Sequence, residues 1–129
     1  MNISQAARRA GLTPKALRYY ESIDLLTPQR GPNGYREYAE SDVATLQFIQ
    51  RARSCGFSVE EVRELLSLYH NPSRRSHDAK VLVEEKLRQV EQQLQSLQSM
   101  RSSLRSLASA CAGDDSPDCS ILDHLASGE

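Results

Sequence analysis

The stretch from His77 to Ala110 constrains this chain more than any other. It contains no Gly and no Pro, and it is rich in Leu, Gln, Glu, Arg and Ser. Its apolar residues Val83, Leu87, Val90, Leu94, Leu97 and Leu104 follow the four-and-three spacing of a coiled-coil seam. A single helix of about 34 residues would be about 50 Å long. That exceeds the width of a compact domain of this size, so the seam cannot be buried against its own chain and calls for a second copy. The rest of the sequence then divides into a head before the helix and a short segment after it.

With 129 residues, an apolar fraction of 39% and only five Tyr, two Phe and no Trp, the chain has room for one small domain beside that helix. No run of 18 apolar residues occurs, so no membrane partner is expected. Met1-Asn2-Ile3-Ser4 lacks the charged start and apolar run of a secretion signal. A cytoplasmic protein with reduced thiols is expected, and three cysteines are too few for a disulfide scaffold. Charge is unevenly placed. Residues 1–55 hold eight Lys or Arg against five Asp or Glu, whereas residues 111–129 hold five acids and no Lys or Arg. A basic head with an acidic tail suits a polyanion at one end only.

The head opens with two short helices. Ser4 is placed to cap the first, which runs through Ala10 and closes on Gly11. Thr13-Pro14 starts the second, with threonine as cap and proline at the first helical position, and it continues to about Ser22. Two short helices around a glycine turn form a helix-turn-helix, whose second helix enters a major groove. Lys15, Arg18 and Tyr19 would face outward while Ala16, Leu17 and Tyr20 pack inward. Gly31-Pro32-Asn33-Gly34 is a dense turn signal, and Tyr35 to Tyr38 reads as a short strand. A basic hairpin in this position is a wing. Arg30 and Arg36 would reach phosphates, Tyr35 would lie against the backbone, and Tyr38 would pack between wing and helices.

Ser41 is expected to cap a third helix through Ser54, and Ser58 with Glu61 forms a capping box for a fourth. These two relay between head and dimer helix, with Arg51 and Arg53 adding phosphate contacts. Cys55, beside Gly56 and Phe57, is assigned to packing.

Cys111 and Cys119 bracket a seven-residue loop containing Gly113 and Pro117, long enough to fold back and bring both sulfurs together. Ile121, Leu122 and Leu125 follow as a short packing helix. Two thiolates without a third soft ligand suit a soft monovalent ion in two-coordination: Cu(I), Ag(I) or Au(I). A redox pair is an alternative, although no Lys, Arg or His flanks the thiols to lower their pKa and nearby acids would raise it. His77 or His124 as an added ligand would give a divalent, zinc-type site. No paired base and nucleophile and no phosphate loop occur, so the chain is not expected to be an enzyme.

The order Gly-Leu-Thr-Pro-Lys-Ala-Leu-Arg-Tyr-Tyr-Glu (11–21), Asn-Gly-Tyr-Arg-Glu-Tyr (33–38) and Cys-Gly-Phe-Ser (55–58) resembles the N-terminal domain of MerR-family transcription regulators. The resemblance implies DNA contacts from Arg18, Tyr19, Arg30, Tyr35 and Arg36. It also implies homodimers with antiparallel long helices, bound to palindromic promoter sites whose overlong spacer they bend and underwind for RNA polymerase. In family members that sense zinc, cadmium, lead or mercury, a cysteine stands where this chain has Ser76. In an antiparallel dimer, Ser76 and His77 would lie beside the partner's ion site and select its charge. The loop is similar to that of the family's copper-efflux regulators and their silver- and gold-responsive relatives, but has Ala112 where proline is common.

The expected fold is mainly α. Residues 1–70 form a winged helix-turn-helix DNA-binding domain, 71–110 a linker and antiparallel coiled-coil dimerisation helix, and 111–129 a metal-binding loop with a short C-terminal helix. The expected function is promoter activation in response to Cu(I), Ag(I) or Au(I), controlling metal efflux or detoxification genes. A divalent-metal or thiol-redox regulator of the same family is the alternative.

Overall fold

A computed structural model describes residues 1–128. The elements run α1 (Ile3–Ala10), α2 (Pro14–Ser22), β1 (Gln29–Arg30), β2 (Arg36–Glu37), α3 (Glu40–Ser54), α4 (Val59–Tyr69), α5 (Ser76–Ala110) and α6 (Ser120–Ser127). They fall into two units, Met1–Val83 and Glu84–Glu129, with α5 contributing to both. Among the described residues, no helix is long and apolar enough to cross a membrane.

In the first unit α1 packs on α2 and α3, and α3 packs on α4. Small residues allow the first contact: Ala6, Ala7 and Ala10 are buried on α1, so the helix backbones approach closely. Leu17, Tyr20, Tyr38, Val43, Leu46, Ile49, Phe57, Val62 and Leu66 complete the core. Truncating any fully buried aliphatic among them, such as Leu46, belongs to the class of change that costs about 2–5 kcal/mol.

Local chemistry sets the ends of these helices. Asn2, rather than Ser4, caps α1: its side chain accepts from the Gln5 N–H at 2.8 Å while the Gln5 side chain accepts from the Asn2 N–H at 3.0 Å. The box begins two residues earlier than expected because Asn2-x-x-Gln5 satisfies two orphan donors at once. Gly11 takes the left-handed conformation (φ 72°) that ends α1, and Thr13 with Pro14 starts α2 as expected. Ser41 does not cap α3. Ala39 occupies the cap position, and its N–H donates to the Asp42 carboxylate at 2.9 Å, so the acid three residues on supplies the cap. Ser58 and Glu61 form the expected box on α4.

The wing is thinner than its sequence suggests. Only Arg36 and Glu37 of the Tyr35–Tyr38 segment are in β2, paired antiparallel to β1 with Gln29 opposite Glu37 and Arg30 opposite Arg36. Gly34 turns the tip at φ 81°. Cys55 is exposed and not packed in the core; Phe57 fills that corner instead.

α5 starts at Ser76 and has no buried residue in this single chain. Val83, Leu87, Val90, Leu94, Leu97 and Leu104 are all exposed, along with Met100. An apolar stripe left bare along one face of a helix is the signature of a missing partner.

Candidate metal centre and nucleic-acid interface

The two thiols come together because the loop between them is closed at its base. The Ser120 hydroxyl donates to the Ala110 carbonyl, one of the orphan acceptors at the end of α5. Inside the loop, Gly113 is left-handed at φ 69°. The Ser116 N–H donates to the Asp114 side chain at 3.0 Å, and the Asp118 N–H to the Ser116 hydroxyl at 3.2 Å. These local side-chain turns fold the chain back without a core. The result sets Cys111 Sγ 3.4 Å from Cys119 Sγ. Sequence reasoning misses Ser120, which makes the closure; its position directly after a cysteine and before an apolar run is the available signal.

A separation of 3.4 Å is well beyond the roughly 2.05 Å of a disulfide bond. One ion bonded to both sulfurs at a thiolate distance of about 2.3 Å would hold them at most about 4.6 Å apart. The pair therefore lies within reach of a single ion, and both cysteines are half-buried and free. Among the described residues, no group of three or more His, Cys, Asp or Glu gathers in a form able to hold a metal.

The expectation that nearby acids would raise the thiol pKa is corrected for Cys119. Cys119 is the N-cap residue of α6. The Leu122 N–H at the start of that helix is the first cause that holds its thiol below the ordinary range and the nearby Cys111 thiol the second, although the sulfur makes no cap hydrogen bond to α6. Backbone donors do here what a flanking cation does elsewhere. Burial opposes them, and Asp123 does so to a lesser degree. Thiolate is the form that ligates metal.

In the first unit α2 presents Lys15, Arg18 and Tyr19 to solvent, with Leu17 and Tyr20 turned into the core. Among the described residues Lys15 and Arg18 form no ion pair. A groove lined by Asn2, Arg18, Asn33, Tyr35 and Arg36 separates α2 from the wing. Tyr35 is 74% exposed, whereas Tyr38 is buried at 2%. Arg30 and Arg36 are not loose: both pair with Glu21, Arg30 at 3.2 Å. The Glu21 hydrogen bond also raises the Arg36 guanidinium above its already high pKa. Arg53 donates to the Phe57 carbonyl at 2.9 Å, bracing the turn between α3 and α4. Ser76 and His77 are exposed at the start of α5.

The sequence matches the family description "MerR HTH family regulatory protein" over residues 1–68 and "MerR, DNA binding" over residues 43–107. The chain belongs to the MerR family. It is thus a DNA-binding transcription regulator of the helix-turn-helix class rather than an enzyme. It is 48% identical over 128 residues to the HTH-type transcriptional regulator HmrR of Rhizobium leguminosarum bv. viciae, covering 99% of both chains. It is 46% identical over 127 residues to the HTH-type transcriptional regulator CueR of Escherichia coli O6:H1, covering 98% of this chain and 94% of that one. The same fold appears in the crystal structure of the transcription regulator PbrR691 from Ralstonia metallidurans CH34 in complex with lead(II). That chain superimposes with a TM-score of 0.84 at 30% identity, over 97% of this chain and 98% of that one.

Proposed function

We propose that this MerR-family protein is a metal-responsive promoter activator whose effector is a monovalent soft ion, Cu(I) and also Ag(I) or Au(I), held between Cys111 and Cys119. The observation that carries this reading is the pair of free thiols 3.4 Å apart in a closed loop. Two soft sulfurs satisfy a d¹⁰ monovalent ion but leave a divalent one short of ligands. Similarity to a heavy metal-dependent transcription regulator of Rhizobium meliloti, 43% identical over 129 residues, supports a metal effector.

The active species in this proposal is a cytoplasmic homodimer on a palindromic promoter. The bare seam of α5 pairs antiparallel with its counterpart. Lys15, Arg18 and Tyr19 enter the major groove, while Arg30, Tyr35, Arg36 and Arg53 meet the flanking backbone. Residues 1–70 act as the DNA-binding domain, 71–110 as linker and dimer helix, and 111–129 as the sensor. Ser76 and His77 of each subunit lie beside the partner's loop, and the hydroxyl in place of a thiol withholds a third sulfur. Ion binding favours the dimer state that distorts the promoter, letting RNA polymerase engage both of its elements. The ion can do this only by binding that state more tightly than the resting one.

A lead(II) complex of a relative with the same fold keeps a divalent reading as the second choice, in which His77 or another group joins the thiols. Separate Cys111→Ser and Cys119→Ser variants test the site. Promoter activation by copper should be abolished while promoter binding persists. Copper activation retained in either variant would place the site elsewhere.

A further inference from the structure

Wing and recognition helix are joined by one carboxylate. Glu21 lies on the last turn of α2 with its side chain only 17% exposed. One oxygen accepts from Nη2 of Arg30 on β1 at 3.2 Å, and the other accepts from Nε of Arg36 on β2. Arg30 Nη1 also donates to the Gly34 carbonyl at the wing tip, at 3.4 Å. A single acid on the helix therefore grips both strands of the hairpin.

The hairpin needs that grip. Each strand has two residues, and a ladder so short does not hold its own orientation. An acid on a surface that meets phosphates would otherwise be a liability, since it repels the polyanion that neighbouring Arg18 and Lys15 attract. Both features are explained if the carboxylate sets geometry. We infer that Glu21 is a positioning residue for promoter recognition, fixing the angle between wing and α2 so that Tyr35 and Arg18 meet the duplex in one register. This rests on the DNA-binding role described above.

The two roles an acid can play here have opposite signs, which makes them separable. If Glu21 acts only through its charge, Glu21→Gln binds every duplex more tightly. If it positions the wing, Glu21→Gln loses affinity for the specific site and loses none for arbitrary DNA. The experiment measures binding of the full-length protein to a duplex carrying the palindrome footprinted by the wild type, and to a scrambled duplex of equal length. The expected loss on the palindrome is about tenfold, the scale of a broken charge-assisted pair, with binding to the scrambled duplex unchanged or tighter. The double variant Glu21→Gln/Arg36→Gln should lose less than the sum of the two single losses, because the pair that both changes break is broken once, while the Arg30 contact remains for Glu21→Gln alone to remove. Tightening on both duplexes, equal loss on both, no change on either, or additive losses in the double variant would overturn the inference. Wild-type protein that fails to distinguish the two duplexes would overturn the DNA-binding reading as well.

Discussion

Two side chains show how residue-level chemistry departs from composition. The Tyr38 ring fills the space between wing and helices, but its hydroxyl is buried with no hydrogen-bond partner among the described residues. Burial is the main reason its phenol pKa is raised. An unmatched buried hydroxyl costs more than its absence. Tyr38→Phe should therefore stabilise the fold by about 1 kcal/mol, read as a higher midpoint in urea; a clear drop would mean the hydroxyl has a partner. Cys119 runs the other way: an exposed acidic loop would raise its pKa, but the N–H groups opening α6 lower it. Thiolate thus persists to lower pH than in a free cysteine. Site-resolved alkylation of the metal-free protein should show a Cys119 midpoint below the usual value of about 8.5, with reactivity lost as pH falls through it. A midpoint at or above that value would show that the acids dominate.

At the scale of elements, the long helix makes the strongest demand. α5 exposes its whole apolar seam in one chain, including Leu94 at 53% and Leu104 at 64%. Leu94→Asp, near the middle of that seam, should convert a dimer to monomers in sedimentation experiments without unfolding the head. A wild-type protein that sediments as a monomer would contradict the pairing role of α5. This helix is legible from spacing alone because no glycine or proline interrupts its 35 residues. Thr13-Pro14 and the Ser58–Glu61 box are legible for a similar reason, since each is a local signal that uses its own side chains. The misplaced starts of α1 and α3 share a cause. At Asn2–Gln5 and Ala39–Asp42 the reciprocal bond from the third helical residue decides the start, and a nearby serine offers a plausible but unused cap. The exposure of Cys55 is not legible, because which side of a helix end faces the core depends on α4 and Phe57. The closeness of Cys111 and Cys119 is legible as a loop long enough to fold back. The Ser120 bond that closes it, and the α6 terminus that tunes it, depend on where α5 ends and α6 begins.

At the scale of the molecule, charge divides the chain, with Lys and Arg in excess over residues 1–55 and acids in excess over residues 111–129, the segment that the proposal makes the sensor. Family membership and a match along nearly the full length of HmrR and CueR make the protein a DNA-binding regulator. The effector's identity turns on how many ligands the sensor can supply. For an ion to move the dimer from mostly resting to mostly activating, from about 1:99 to 99:1, it must prefer the activating state by about 5.5 kcal/mol. In the proposed mechanism that preference arises when an ion joins two loop sulfurs already in contact and fixes the loop's shape. X-ray absorption at the copper edge of the Cu(I)-loaded protein tests this most directly. Two sulfur ligands and nothing else are expected in the inner coordination sphere, whereas three or more ligands, or any nitrogen among them, would contradict a two-thiolate sensor.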